Sequence, residues 1–146
     1  MARIPSHVLV SVLAAAMAAL GTGPASAQGL EGFRTPSGNI HCLAFGPMDG
    51  DPPGIRCDVR ESTARTPPQP ADCEEDWGDS FGLSPAGRGH RLCHGDTVVN
   101  ERNPVLGYGR AWSRYGITCV SRTDGLTCRN RAGHGFSISR ATQTVF

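Results

Sequence analysis

Residues 116–128 read GITCVSRTDGLTC, in which each cysteine follows an aliphatic residue by two positions. Side chains in a β-strand alternate between two faces, so Ile117 shares a face with Cys119, and Leu126 shares a face with Cys128. The Thr-Asp-Gly between the two halves has the composition of a turn. The stretch therefore predicts a β-hairpin with both cysteines on one face.

An earlier stretch, residues 38–57, repeats this pattern with GNIHC at its start and GIRC at its end. Cross-strand neighbours lie about 4.5–5.5 Å apart at Cβ, close to the separation that a disulfide spans. Six cysteines allow about fifteen connectivities, so a pairing within each hairpin is a hypothesis from hairpin geometry. The predicted bridges are Cys42–Cys57, Cys73–Cys93 and Cys119–Cys128.

The first 27 residues have the order of an export signal. A positive start at Arg3 precedes an apolar run from Val8 to Leu20, and small residues end at Ala27. We expect cleavage after Ala27, with an uncleaved N-terminal anchor as the alternative. The remaining chain, residues 28–146, fits one domain and has no apolar span, so it is expected to be a soluble protein of the periplasm or the medium.

The composition indicates a thin hydrophobic core and many loops, since 19 of the 146 residues are Gly and 11 are Pro. Each of three short bridges would contribute at most roughly 3 kcal/mol in the loop-entropy picture. Alternation and turn signals predominate, and no stretch sustains a helical period. The predicted class is mainly β: a small, disulfide-stapled sandwich or barrel of short antiparallel strands.

Further strands are predicted from weaker alternation. Leu106, Tyr108 and Trp112 would share one strand face, and Phe136 and Ile138 alternate with Ser137 and Ser139. Short strands are also expected at residues 88–94 and 97–99, a proline-rich surface loop at 65–71, and at most a turn or two of helix at 73–77 or 139–146.

The charge is nearly balanced, with 14 cationic and 13 acidic residues and a net charge of +1. No field is expected to attract nucleic acid or anionic lipid. Every cation is Arg, whose guanidinium binds carboxylate and phosphate in two-pronged fashion. An anion-binding role and the codon bias of a GC-rich genome are both open explanations for this usage.

Three motifs carry a resemblance to a known family: PSGNIHC at residues 36–42, LGYG at 106–109 and GHGFSISR at 133–140. Together they resemble a family of small secreted bacterial proteins of unknown function. The resemblance implies an exported, cysteine-bridged protein of one domain. It implies no activity for any residue.

His134, between two glycines, is the first candidate for chemistry. An uncrowded imidazole suits a general acid or base, whereas the same glycines suit a tight turn with a structural His. Arg140 could accompany it as an anion clamp, or serve as an ordinary surface cation.

Two other groups of residues have competing interpretations. Residues 90–96, HRLCHGD, contain metal-ligand types, but an oxidised Cys93 cannot coordinate as a thiolate, so no metal and no cofactor are expected. Tyr108 and Trp112, with Trp77, could form an aromatic platform for sugars or bases, or belong to the core.

Two function classes follow from the sequence. The first is an exported, non-catalytic binding or structural module that acts on a glycan, another envelope component or a protein. The second is a small secreted, nuclease-like hydrolase using His134 as general acid or base, with His94 or Asp96 and an Arg. We expect a monomer, and the sequence favours the first class.

Overall fold

The computed structural model describes residues 31–146, and the predicted signal peptide at 1–27 lies outside them. Ten strands form two five-stranded antiparallel sheets, each of which runs in chain order from one edge to the other. Sheet 1 contains β1 Glu31–Arg34, β2 Ile40–Phe45, β3 Gly54–Val59, β4 Asp76–Leu83 and β5 His90–His94. Sheet 2 contains β6 Ala111–Arg114, β7 Ile117–Arg122, β8 Gly125–Asn130, β9 Gly135–Ile138 and β10 Gln143–Val145.

The two predicted hairpins are the centres of the two sheets. In β2 and β3, Cys42 lies directly opposite Cys57, and in β7 and β8, Cys119 lies directly opposite Cys128. Both pairs are disulfides, with Cα atoms 4.1 and 4.0 Å apart. The third bridge joins Cys73 to Cys93. The predicted connectivity is confirmed at all three bridges.

The core lies between the inner faces of the two sheets. Alternate residues of β2, β3 and β4 face alternate residues of β7, β8 and β9, and the four sulfurs of the two hairpin bridges lie among them. Two ring pairs cross the interface: Phe81 with Phe136, at 5.9 Å between centroids, and Phe33 with Trp112, at 5.4 Å. The arrangement is a β-sandwich, which confirms the predicted class.

Part of the outer face of sheet 1 is polar yet buried. His41, Asp58 and Ser80 are at most 3% exposed, because the connector, residues 95–110 between β5 and β6, crosses over part of this face. Asp58 accepts hydrogen bonds from Thr97 Oγ1 and from the backbone N–H of Val98. These bonds fix the connector to the outer face of sheet 1.

The strand predicted over residues 97–99 is wrong, because the polar groups of this segment bond to Asp58 instead of to a neighbouring strand. The prediction of a single strand through Leu106 and Trp112 is also wrong. Leu106 donates its N–H to the carbonyl of Arg34 at the edge of sheet 1, whereas Trp112 lies in β6 of sheet 2.

The short helices allowed at 73–77 and 139–146 do not form in the described residues. The first segment leads into β4 and the second contains β10. No helix in residues 31–146 is long and apolar enough to span a membrane. Residues 65–71 are a surface loop without strand or helix, as predicted.

Candidate functional site

A groove of about 490 Å³ opens at one end of the sandwich. It lies where β3, β7 and β9 end, so both sheets contribute to it. Its volume falls in the range of small-molecule sites, about 300–1,000 Å³. The charged and aromatic side chains that line it are Arg60, Glu61, Tyr108, Arg122, Asp124 and Arg140.

Backbone hydrogen bonds hold the segments that carry Tyr108 and Arg122 side by side. Gly109 donates its N–H to the carbonyl of Ser121 at 2.7 Å, and Ser121 donates its N–H to the carbonyl of Arg110 at 3.1 Å. Tyr108 directly precedes the first donor, and Arg122 directly follows Ser121. The connector and the β7–β8 hairpin therefore present these two side chains together.

Hydrogen bonds also hold the opposite wall of the groove in place. Asn39 donates its side-chain N–H to the carbonyl of Glu61 and accepts the N–H of Glu61. The carbonyl of Asn39 accepts the N–H of Arg60, and the carbonyl of Arg140 accepts two N–H groups, those of Thr63 and Ala64. These bonds tie the segment after β3 to the β1–β2 turn on one side and to the segment after β9 on the other.

The three guanidinium groups of the groove differ in their partners. Arg60 forms an ion pair with Glu101 at 2.6 Å, and Arg140 forms one with Glu61 at 3.2 Å. Arg122, at the end of β7, forms no ion pair and no side-chain hydrogen bond with any residue in 31–146. Among the three, Arg122 is therefore the guanidinium without a carboxylate partner in the described residues, and all of its donors are open to a ligand.

Of the aromatic candidates, Tyr108 and Trp112 lie in different environments. Tyr108 is 46% exposed and lines the groove. Trp112 is half-buried against Phe33, and its indole N–H donates to Glu31 at 2.8 Å. Because Trp112 packs against the core cluster and does not line the groove, the structure does not join the two rings into one platform.

His134 lies in the turn between β8 and β9, at the other end of the sandwich. Its imidazole makes no hydrogen bond with any described residue, and no carboxylate of residues 31–146 lies within 4.0 Å of it. Arg140 follows the far end of β9, whose four residues separate it from His134 by roughly 13 Å of strand. The structure does not bring these two residues together.

The glycines on either side of His134 serve the backbone. Gly133 adopts φ of +85°, in the left-handed region that favours glycine. A Cβ on Gly135 would overlap the carbonyl oxygen of Cys128 on the neighbouring strand. Both glycines are therefore required by the turn and by the close approach of β9 to β8, whatever His134 does.

His94 is also placed apart from His134. The side chain of Asn130, beside the His134 turn, donates to the carbonyls of Ser84 and Gly87 in the β4–β5 loop. His94 lies at the other end of that hairpin, opposite Asp76. The imidazole of His94 bonds to Asp79 Oδ1 at 2.8 Å and to the carbonyl of Asp96 at 2.7 Å.

Both ring nitrogens of His94 face an oxygen acceptor, an arrangement that favours the protonated imidazole, in which both nitrogens donate. Burial by itself would lower the pKa of His94, but the bonds to Asp79 and to the Asp96 carbonyl raise it above its usual value. His94 thus joins β4, β5 and the connector through its two hydrogen bonds. No group of three or more potential metal ligands occurs in the described residues.

A family model described as a family of unknown function (DUF6636) matches residues 8–146. The chain belongs to this family. No curated protein and no solved structure shows significant similarity to the chain. Membership in DUF6636 assigns no activity to the chain.

Sequence reasoning missed most of the groove in this DUF6636 chain. It identified Tyr108 and Arg140 but not Arg60, Glu61 or Arg122. Arg122 has one signal in the sequence, its place at the turn of the most regular hairpin. The convergence of these separate segments has no signal in a single sequence.

Proposed function

We propose that this protein is an exported, non-catalytic binding module of the cell envelope or the extracellular space, and that the groove is its binding site. One observation carries the proposal: three arginines and an exposed tyrosine line one groove on segments that backbone hydrogen bonds hold in place. A preorganised site of this kind loses little conformational entropy on binding.

Export is supported by the disulfides together with the signal-like N-terminus. All six cysteines are paired, which fits an extracellular or otherwise oxidising compartment. The secreted or periplasmic location remains part of the proposal, as does the absence of a nucleic-acid partner, which rests on the balanced charge of the chain.

The hydrolase hypothesis has less support. It requires a polar group within hydrogen-bond reach of His134, or one water away, and no direct contact of this kind occurs in the described residues. His94 is already engaged by Asp79, and its location at the far end of the β4–β5 hairpin separates it from the His134 turn.

A thermal-shift screen tests the proposal. The mature, disulfide-intact protein would be screened against glycans, nucleotides and cell-wall fragments, beside Tyr108→Ala and His134→Ala. We expect a compound that raises the melting temperature of the native protein and of His134→Ala but not of Tyr108→Ala, since a ligand stabilises only the protein that binds it. Loss of the shift in His134→Ala, with Tyr108→Ala unaffected, would move the site to the opposite end and support the hydrolase.

A further inference from the structure

We infer that the ligand of the groove is an acidic saccharide, whose carboxylate binds Arg122 and whose sugar ring packs on Tyr108. This inference rests on the proposed function, because it specifies the ligand of the same site. It is carried by the composition of the groove, by the unequal pairing of its arginines and by the exposure of its tyrosine.

The pairing of the arginines gives the charge of the ligand. Two of the three guanidinium groups already have a carboxylate partner, on Glu101 and on Glu61. Arg122 has none among the described residues, and a guanidinium presents a fixed fork of donors that matches a carboxylate in two-pronged geometry. A ligand carboxylate at Arg122 would therefore complete a set of three ion pairs.

The balance of charge argues against a polyanion. The three guanidinium groups of the lining are accompanied by three carboxylates, those of Glu61 and Asp124 in the lining and that of Glu101, which pairs with Arg60, so the groove has no excess of positive charge. Nucleic acids bind through many phosphate contacts at once. One free guanidinium suits a ligand with isolated carboxylates better than a phosphate backbone.

The polarity of the lining argues for a sugar rather than a peptide. Peptide grooves use apolar pockets for anchor side chains, but the large apolar residues of this groove are Tyr108 and Ile40, and Ile40 is only 3% exposed. The phenol ring of Tyr108 offers one flat apolar surface with a polar edge. Asp124 makes no hydrogen bond with the described residues and is an acceptor for a sugar hydroxyl.

Titration calorimetry of the mature protein tests the inference with three probes: trigalacturonate, the uncharged galactotriose and inorganic phosphate. We expect trigalacturonate to bind at least ten times more tightly than either of the others. Arg122→Gln should lower its affinity about ten- to a hundredfold, the loss expected for a hydrogen bond to a charged group. Tyr108→Ala should weaken the binding of both saccharides.

Arg88→Gln is the matched control, because Arg88 lies in the β4–β5 loop at the opposite end of the sandwich. The affinity of this variant for trigalacturonate should equal that of the native protein. Equal binding of galactotriose would overturn the carboxylate assignment and leave the groove as a sugar site. Phosphate binding as tight as trigalacturonate would overturn the sugar assignment. If no saccharide binds but another compound of the thermal-shift screen does so through Tyr108, the inference fails and the proposed function stands.

Discussion

Replacing Asp58 by Ala should strongly destabilise the protein. The side chain of Asp58 is almost fully buried, and its carboxylate accepts two bonds from the guanidinium of Arg56, at 2.9 and 3.1 Å. It accepts three more, from Ser80, Thr97 and the N–H of Val98, at 2.7, 3.0 and 2.9 Å. The substitution leaves all of these donors without that partner.

The magnitude follows from the partners that remain. Breaking a buried ion pair costs about 3–5 kcal/mol, because the other charge stays buried. Arg56 keeps a second partner, Asp96, at 2.6 Å, so we expect the lower end, about 3 kcal/mol. With a urea m-value of about 1–3 kcal/mol/M, the unfolding midpoint should fall by at least about 1 M.

Urea unfolding followed by tryptophan fluorescence, without reductant, measures this change. Asp96→Asn is the matched control: it removes the charge from the other carboxylate on the same guanidinium, but Asp96 is 80% exposed and its midpoint should be close to that of the native protein. If Asp58→Ala and Asp96→Asn unfold at the same urea concentration, the buried network does not hold the connector on sheet 1.

Burial alone would raise the pKa of Asp58, but the bonds from Arg56, Val98 and Ser80 lower it below its usual range. A carboxyl whose pKa is lowered in the native state stabilises that state at pH values above the pKa of the unfolded chain, about 3.9. This contribution is lost as the pH falls through the native pKa. The pH dependence of unfolding below about pH 4 should therefore be shallower in Asp58→Ala than in the native protein.

Three further predictions concern other parts of the fold. The raised pKa of His94 contributes stability that is complete below about pH 6.5, the pKa of an unfolded-state His, and is lost as the pH rises through the native pKa of His94. Urea midpoints measured from about pH 6.5 upward should therefore fall with pH in the native protein and change less in His94→Gln. Limited reduction followed by alkylation and peptide mapping should label Cys73 and Cys93 first, because Cys93 is exposed whereas the sulfurs of the two hairpin bridges are fully buried; early label elsewhere would contradict this. Gly135→Ala should cost about 1–3 kcal/mol or more, since its Cβ would overlap the carbonyl of Cys128, and an unchanged melting temperature would show that β9 can move away.

The centres of both sheets could be predicted because their signals are local. Alternation around Cys119 and Cys128, with turn residues between them, specifies a hairpin and the face of its sulfurs. The same logic placed Cys42 and Cys57. The strands β1 and β4 escaped prediction, because β1 has only four residues and β4 contains a register shift between Trp77 and Phe81, where Gly78 adopts φ of +113°.

The buried polar groups on the outer face of sheet 1 and the groove could not be predicted, because both depend on contacts between distant segments. Asp58 and His41 occupy strand positions that normally face solvent, and only the path of the connector buries them. Arg60, Arg122 and Arg140 come from three separate segments that meet only after the sheets have packed. Tyr108 was predicted as a candidate by its residue type, although the strand predicted around it does not exist.

Amide chemical-shift mapping of the mature protein with trigalacturonate tests the binding site most directly, because the groove and His134 lie at opposite ends of β9. We predict that the largest shifts occur at Tyr108, Arg122 and Arg140, and that the amide of His134 stays unchanged. Shifts concentrated at residues 130–135, with the groove silent, would contradict the account.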